Sequence, residues 1–337
     1  VEHQTTSSVA NLTTLADNAA EVLADQIAAR AQAVKNGSSG MVKAWVFPEE
    51  GTHPGRLDAF AALLIDQGIE VLELEGDRST ANGLNNARTN ENVKLELAPG
   101  SLMVRLDQPA GHLARVLLDP HIPMDVVFFR DEREYLEKGK GSRLYETTAW
   151  SLPLLRAIPA YWSGKVPGGQ WEAWTPSAPP AAGPLDAPFN SVIVEGGTDQ
   201  APRLLADLLQ AGVTVRVARK PFTMGGRSFP RGALVLQAEG NGDDLTEVLN
   251  NLAAKHGVTM HAVGTANAED GPDLGGGEYP VLVAPRVGVL TGMPVSPTDY
   301  GAIWHTLDQR VGIRHSHLDE DRLGRSDLRR YNVLVLP

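Results

Sequence analysis

The chain has 337 residues, of which 42% are hydrophobic and 21% are charged, and it contains no cysteine. Its length allows at least two hydrophobic cores, and its composition excludes a disordered tail, a collagen-like fibre, a disulfide framework, a thiolate nucleophile and Cys-ligated metals. The formal net charge of −11 argues against nucleic acid or an anionic membrane as a partner.

The first predicted element is one long amphipathic helix over residues 9–35, whose apolar residues recur at three- and four-residue spacing. Glycine, serine and asparagine at 36–40 are expected to end it. We therefore predict that residues 1–40 are an N-terminal helix and linker. The chain has no apolar run of ~20 residues, so no membrane-spanning helix is expected.

Residues 41–164 are predicted to form a first α/β unit. A strand at 42–47, a helix closed by Gly68 and a strand at 69–74 make up a β–α–β pattern. A further strand at 99–106 is followed by a helix that begins with proline.

Residues 190–283 show the same order of elements, with a strand at 191–194, a leucine-rich helix, a turn at Gly212 and a Pro-Gly strand near 230–237. This order indicates an internal repeat. The alternative is the general similarity of any two α/β segments.

A connector at 165–189 separates the two copies. It is rich in proline and is expected to cross a domain surface without regular structure, anchored by Trp171 and Trp174.

Residues 284–337 are predicted to begin a third α/β domain. A strand at 287–290 precedes a helix capped by Ser296, and the apolar run 333–336 is expected to form a parallel neighbour of that strand. Because the chain stops within this run, we expect the domain to be truncated and more protein to follow.

Nucleophile and phosphate motifs are not found, since no Gly-x-Ser-x-Gly, Gly-x-x-x-x-Gly-Lys or Gly-x-Gly-x-x-Gly follows a strand. His315 and His317 alternate along an extended segment, and His317 and Glu320 have the His-x-x-Glu zinc spacing. A third ligand is not found, although His305 lies one helix upstream. We interpret these as polar residues at a sheet margin and predict no metal site.

Ligand-binding candidates are the polar residues that follow strands, where α/β sheets bind ligands. They are Glu49 after the first strand, and Glu195, Thr198 and Asp199 after its counterpart. Glycines in the second loop would allow a ligand close to the backbone. Thr198 or Asp199 is alternatively a helix cap.

Two stretches, 99–120 and 144–154, resemble the region that follows the catalytic domain in large secreted bacterial zinc carboxypeptidases of the carboxypeptidase A superfamily. Residues 285–289, 296–301 and 331–337 are similar to the class I glutamine-amidotransferase-like domain that closes those proteins. We therefore predict an α/β fold of duplicated α/β units with mostly parallel sheets, followed by a partial flavodoxin-like domain, which the resemblance implies is of the class I glutamine-amidotransferase-like kind.

The resemblance also implies a function. The chain would be a non-catalytic accessory region that packs on the peptidase domain of its parent protein and shapes access to it, in a secreted or periplasmic protein. Zinc is expected only in that parent catalytic domain, and no cofactor or catalytic residue is assigned here. The amidotransferase-like part has no cysteine nucleophile. The alternative is a binding module that holds a peptide or small ligand at the strand ends.

Overall fold

The computed structural model describes residues 2–53, 55–121, 125–142, 151–176, 184–185 and 188–337. Of the resemblance segment 144–154, residues 144–150 lie outside this part, as do residues 177–183 and 186–187 of the predicted connector. The chain divides into two compact units, Val1–Ser177 and Ala178–Pro337. Both units combine helices and strands, as predicted.

The N-terminal segment forms two helices where one was predicted, α1 (Glu2–Asp17) and α2 (Ala19–Ser39). They meet at Asn18, whose φ of −109° and ψ of 14° depart from helical values. Its side-chain amide donates to the carbonyl of Thr14 at 2.8 Å, which is the local competition with helical geometry that asparagine offers. In α2, only Ala33 and Gly37 are buried.

The rest of the first unit is a seven-stranded sheet with four helices. Its strands have the order β4-β3-β6-β1-β5-β2-β7, and every neighbouring pair is antiparallel. The elements are β1 (Ala44–Phe47), α3 (Arg56–Asp66), β2 (Leu72–Glu75), β3 (Ser79–Asn86), β4 (Asn92–Leu97), β5 (Leu102–Arg105), α4 (Gly111–Leu118), α5 (Val126–Glu137), α6 (Leu152–Leu155), β6 (Tyr161–Ser163) and β7 (Gln170–Ala173).

The prediction of mostly parallel sheets is wrong for this unit. The β–α–β elements exist, but β5 lies between β1 and β2 and is antiparallel to both. The central order β6-β1-β5-β2 is the split β–α–β arrangement of ferredoxin-like folds. The expectation that the connector lacks regular structure is also wrong at β7, which pairs with β2 at the edge of the sheet. An edge strand has a neighbour on one side only, so prolines close to it do not interrupt a second row of hydrogen bonds.

Strand β1 is buried on both faces. Its Trp45 and Phe47 pack among α3 and α4, and Phe47 meets Phe60 edge-on with ring centroids 5.0 Å apart. Ala44 and Val46 point to the opposite face, where they join apolar residues of the β3–β4 hairpin. The strand therefore carries two cores, one on each side of the sheet.

The second unit begins with a four-stranded antiparallel sheet of order β13-β8-β12-β9, which is the same split β–α–β topology. A hairpin again lies between the second and third strands of the core, and its Phe222 and Phe229 stack at 5.3 Å. Mostly parallel pairing is wrong here too. The elements are β8 (Ser191–Val194), α7 (Ala201–Gln210), β9 (Arg216–Val217), β10 (Phe222–Met224), β11 (Arg227–Phe229), β12 (Leu234–Gln237), α8 (Leu245–His256) and β13 (His261–Val263).

The last part of the second unit is a separate sheet of three parallel strands, in the order β15-β14-β16. The predicted parallel pairing of the final strand is confirmed. A π-helical segment, His305–Val311, extends α9, and two 3₁₀ turns, Glu320–Arg325 and Leu328–Arg330, lead to the last strand. The regular elements are β14 (Val287–Thr291), α9 (Pro297–Trp304), β15 (His315–Asp319) and β16 (Val333–Val335).

Among the helices in the described ranges, none has both the length and the apolar character needed to cross a membrane.

Candidate functional site

The loop after β1 contains the predicted candidate Glu49. Its backbone N–H donates to the hydroxyl of Ser101 at 3.1 Å, and Ser101 is buried. The neighbouring Glu50 forms an ion pair with Arg78, and the hydrogen bond from Arg78 holds the pKa of Glu50 below its usual range. Ser101 directly precedes β5 and Arg78 directly precedes β3. These contacts therefore connect the loop to the starts of both strands.

The loop after β8 contains Glu195, whose carboxylate accepts a hydrogen bond from Arg227 at 2.6 Å. A Cβ at Gly196 would lie 1.9 Å from the carbonyl oxygen of Gly232. The prediction that glycine here admits a ligand is therefore wrong at Gly196, because the protein's own backbone occupies that space.

Thr198 and Asp199 precede α7, but neither is its N-cap. The N-cap residue is Gln200, whose side chain makes no capping hydrogen bond. The hydroxyl of Thr198 is buried without a hydrogen-bond partner among the described atoms, while its carbonyl accepts the N–H of Ala201 at 3.1 Å. At Thr198, a backbone turn is therefore found in place of the side-chain cap that was the alternative prediction.

The two histidines of β15 lie on one face, as predicted, with ring centroids 5.4 Å apart. Tyr300 of α9 meets His317 edge-on at 5.6 Å, and burial raises the pKa of this tyrosine. His315 Nδ1 lies 3.3 Å from the carbonyl oxygen of Ile313, so it carries the proton. Within the described ranges, no group of three or more His, Asp or Glu residues could hold a metal ion.

Two cavities of the first unit lie side by side between α2 and α4, and we call them the α2–α4 groove. Each has a volume of about 310 Å³, and both are lined by Ala33 and His112. The polar residues of the first cavity include Asn36 and Arg115. Those of the second are Gln26, Arg30 and Gln67, in addition to the shared histidine.

The groove exists because two glycines bring α2 and α4 against the turn after β5. A Cβ at Gly37 would lie 2.0 Å from the carbonyl oxygen of Leu106, and one at Gly111 would lie 2.1 Å from the same atom. Only glycine fits at both positions. With Ala29 and Ala33, Gly37 forms a row of small residues at four-residue spacing on one face of α2.

The lining of the groove is basic. Among the residues that the structure describes, no aspartate or glutamate lines either cavity, whereas Arg30 and Arg115 both contribute. Asn36 Nδ2 donates to His112 Nε2 at 3.0 Å, so the other ring nitrogen of His112 carries a proton and is a donor. This arrangement favours an anionic ligand in a chain whose formal net charge is −11.

None of the predicted residues Glu49, Glu195, Thr198 and Asp199 lines the groove. The row of small residues on α2 is the sequence signal that could have indicated it. A scan against protein-family models finds no family that matches the chain, and a search of curated proteins finds no relative.

Proposed function

We propose that the chain is a non-catalytic accessory region of a zinc carboxypeptidase-like metallopeptidase, which packs on the peptidase domain and shapes access to it. In this proposal zinc belongs to the peptidase domain, and the protein is secreted or periplasmic. The observation that carries the proposal is an apolar stripe on α1 and α2, described next.

The apolar stripe consists of large side chains that are 45% to 68% exposed and recur on one helical face. On the same face, the last turns of α2 bury Ala33 and Gly37 against the body of the unit. This helical face therefore packs against the body of the first unit at its C-terminal end and is exposed to solvent along the rest of its length. Exposed apolar stretches of this kind mark interaction sites. The stripe comprises Val9, Leu12, Leu15, Val22, Leu23 and Ile27.

A second exposed apolar surface supports the same role. On α5, Val126, Val127, Phe129 and Leu136 are each at least half exposed. Helices α1, α2 and α5 of the first unit thus present apolar faces beyond its own cores, which is typical of a domain that packs against another.

The three-stranded parallel sheet supports the finer part of the proposal, that residues 284–337 begin a class I glutamine-amidotransferase-like domain. Its order β15-β14-β16 corresponds to the first three strands, 2-1-3, of flavodoxin-like sheets. Val333 and Leu334 of β16 are more than 40% exposed, whereas parallel sheets are normally covered on both faces. In this proposal a further strand and helices complete the sheet.

The first test of the proposal is the reading frame that encodes the chain. We expect it to extend several hundred residues upstream of Val1 and to contain His-x-x-Glu followed by a distant histidine. A frame that begins near Val1 refutes the proposal.

The second test is association with that peptidase domain, produced as a separate protein. The double variant Leu12→Lys/Ile27→Lys places two charges on the stripe and should weaken association at least tenfold, since it puts unpaired charge into an apolar interface. The matched control Ala10→Lys/Ala28→Lys places the same charges on the opposite helical face. Equal binding by the stripe variant and the control contradicts the proposal.

A further inference from the structure

We propose that the α2–α4 groove binds a short peptide segment that carries two acidic side chains. The inference rests on the groove alone and does not depend on the function proposed above. Its first support is size: two adjoining cavities of about 310 Å³ each share Ala33 and His112, and together they reach the volume of sites that hold small organic ligands.

The second support is charge. Arg30 lines one cavity and Arg115 lines the other. Both arginines are exposed, and neither forms an ion pair with another described residue. The chain as a whole has 41 acidic and 30 basic residues. The described lining of the groove, with two arginines and no carboxylate, therefore has the opposite sign of charge to the chain.

The third support is the chemistry of the groove's polar and apolar parts. A guanidinium group presents forked N–H donors that match a carboxylate with two parallel hydrogen bonds. The lining also includes Ala29, Ala33 and Leu113, which provide apolar contact for the carbon atoms of a ligand. A free phosphate would use the charges but leave these apolar contacts unfilled, so a peptide fits both features.

The extent of the groove along α2 sets the length of the ligand. Arg30 lies about 9 Å along α2 from Asn36, which lines the Arg115 cavity. Three residues of an extended peptide span about 10 Å. A short peptide with a glutamate near each end therefore has the length to place one carboxylate in each cavity.

The test is calorimetric titration of the full chain, at low salt, with acetyl-Glu-Ala-Ala-Glu-amide. We expect saturable binding, and at least tenfold weaker binding of acetyl-Gln-Ala-Ala-Gln-amide, because each lost charge-assisted hydrogen bond pair reduces affinity about tenfold. Arg30→Gln and Arg115→Gln should each weaken the acidic peptide about tenfold. Arg88→Gln, an exposed arginine outside the groove, is the matched control and should leave binding unchanged.

Three results would overturn the proposal. One is equal affinity for the acidic and the neutral peptide, and another is native affinity in both arginine variants of the groove. The third is inorganic phosphate binding as tightly as the acidic peptide, which would assign a general anion site. Since Leu12 and Ile27 are unchanged in all these variants, failure here leaves the association test of the apolar stripe unaffected.

Discussion

Replacing Gly37 by alanine tests whether direct backbone contact holds α2 in place. Alanine favours a helix over glycine by ~0.5–1 kcal/mol, so helix propensity alone predicts that the substitution is stabilising. The added Cβ would, however, lie 2.0 Å from the carbonyl oxygen of Leu106 and 2.4 Å from the amide nitrogen of Asp107. Contacts between carbon and oxygen begin at about 3.3 Å, so α2 would have to retreat by about 1.3 Å.

A retreat of this size loses more than about half of the dispersion energy at the helix contact, and overpacking of this kind costs about 1–3 kcal/mol. After the propensity gain is subtracted, we expect the docking of α2 to weaken by about 0.5–2 kcal/mol. Amides in the last turns of α2 should then exchange with solvent deuterium about 2–30 times faster, as measured by hydrogen exchange and mass spectrometry.

The matched control is Gly301→Ala in α9, where the added Cβ has no neighbour within 4 Å. Only propensity acts there, so this variant should slow exchange in α9 and stabilise it by ~0.5–1 kcal/mol. Exchange in α2 that is unchanged or slower in Gly37→Ala would refute the backbone contact, and with it our account of how the groove forms.

Three further predictions concern stability. Phe60 is fully buried, so Phe60→Ala should lower the free energy of unfolding in urea by ~3–5 kcal/mol. Partial burial acts to raise the pKa of Asp207, but hydrogen bonds from Lys255 and His256 outweigh it and lower that pKa. Asp207→Asn should therefore cost ~1 kcal/mol at pH 7. The difference should shrink as the pH falls below about 4 and disappear once Asp207 is protonated in the folded protein, as urea titrations across this pH range would show. Gln108 is buried, and its side chain accepts a hydrogen bond from the backbone N–H of Glu70 and donates one to the carbonyl of the same residue. Gln108→Leu should therefore lower the thermal midpoint and cost ~1–3 kcal/mol.

The positions of the strands could be predicted from the sequence, but their neighbours could not. The apolar run 191–194 coincides with β8, and the run 42–47 contains β1. Apart from Lys43 and Ser191, both runs consist of apolar residues, which is typical of strands in parallel sheets. Here the strands are buried on both faces for another reason: helices cover one face and the residues of an inserted hairpin cover the other. A run of hydrophobic residues indicates that a strand is buried but does not indicate whether its neighbours are parallel or antiparallel.

The candidate site shows the same limit of local patterns. A carboxylate after a strand, such as Glu195, is a reasonable ligand candidate until Arg227 is brought beside it by a hairpin that is distant in sequence. The groove, in turn, depends on Gly37 meeting the carbonyl of Leu106, a contact between segments about 70 residues apart. Long-range contacts of this kind leave only a weak trace in the sequence, here the small residues of α2.

The split topology also determines when each sheet can be completed during synthesis. Ala44 of β1 pairs with Ser163 of β6, whereas Ser191 of β8 pairs with Val263 of β13. At translation rates of about 5–20 residues per second, one edge of β1 waits about 6–24 s for its neighbour, and β8 waits little more than half as long. The edge of β1, with its unpaired backbone N–H and C=O groups, is therefore open to misassociation for longer than the edge of β8. Closure of the first unit is expected to be the slower folding event.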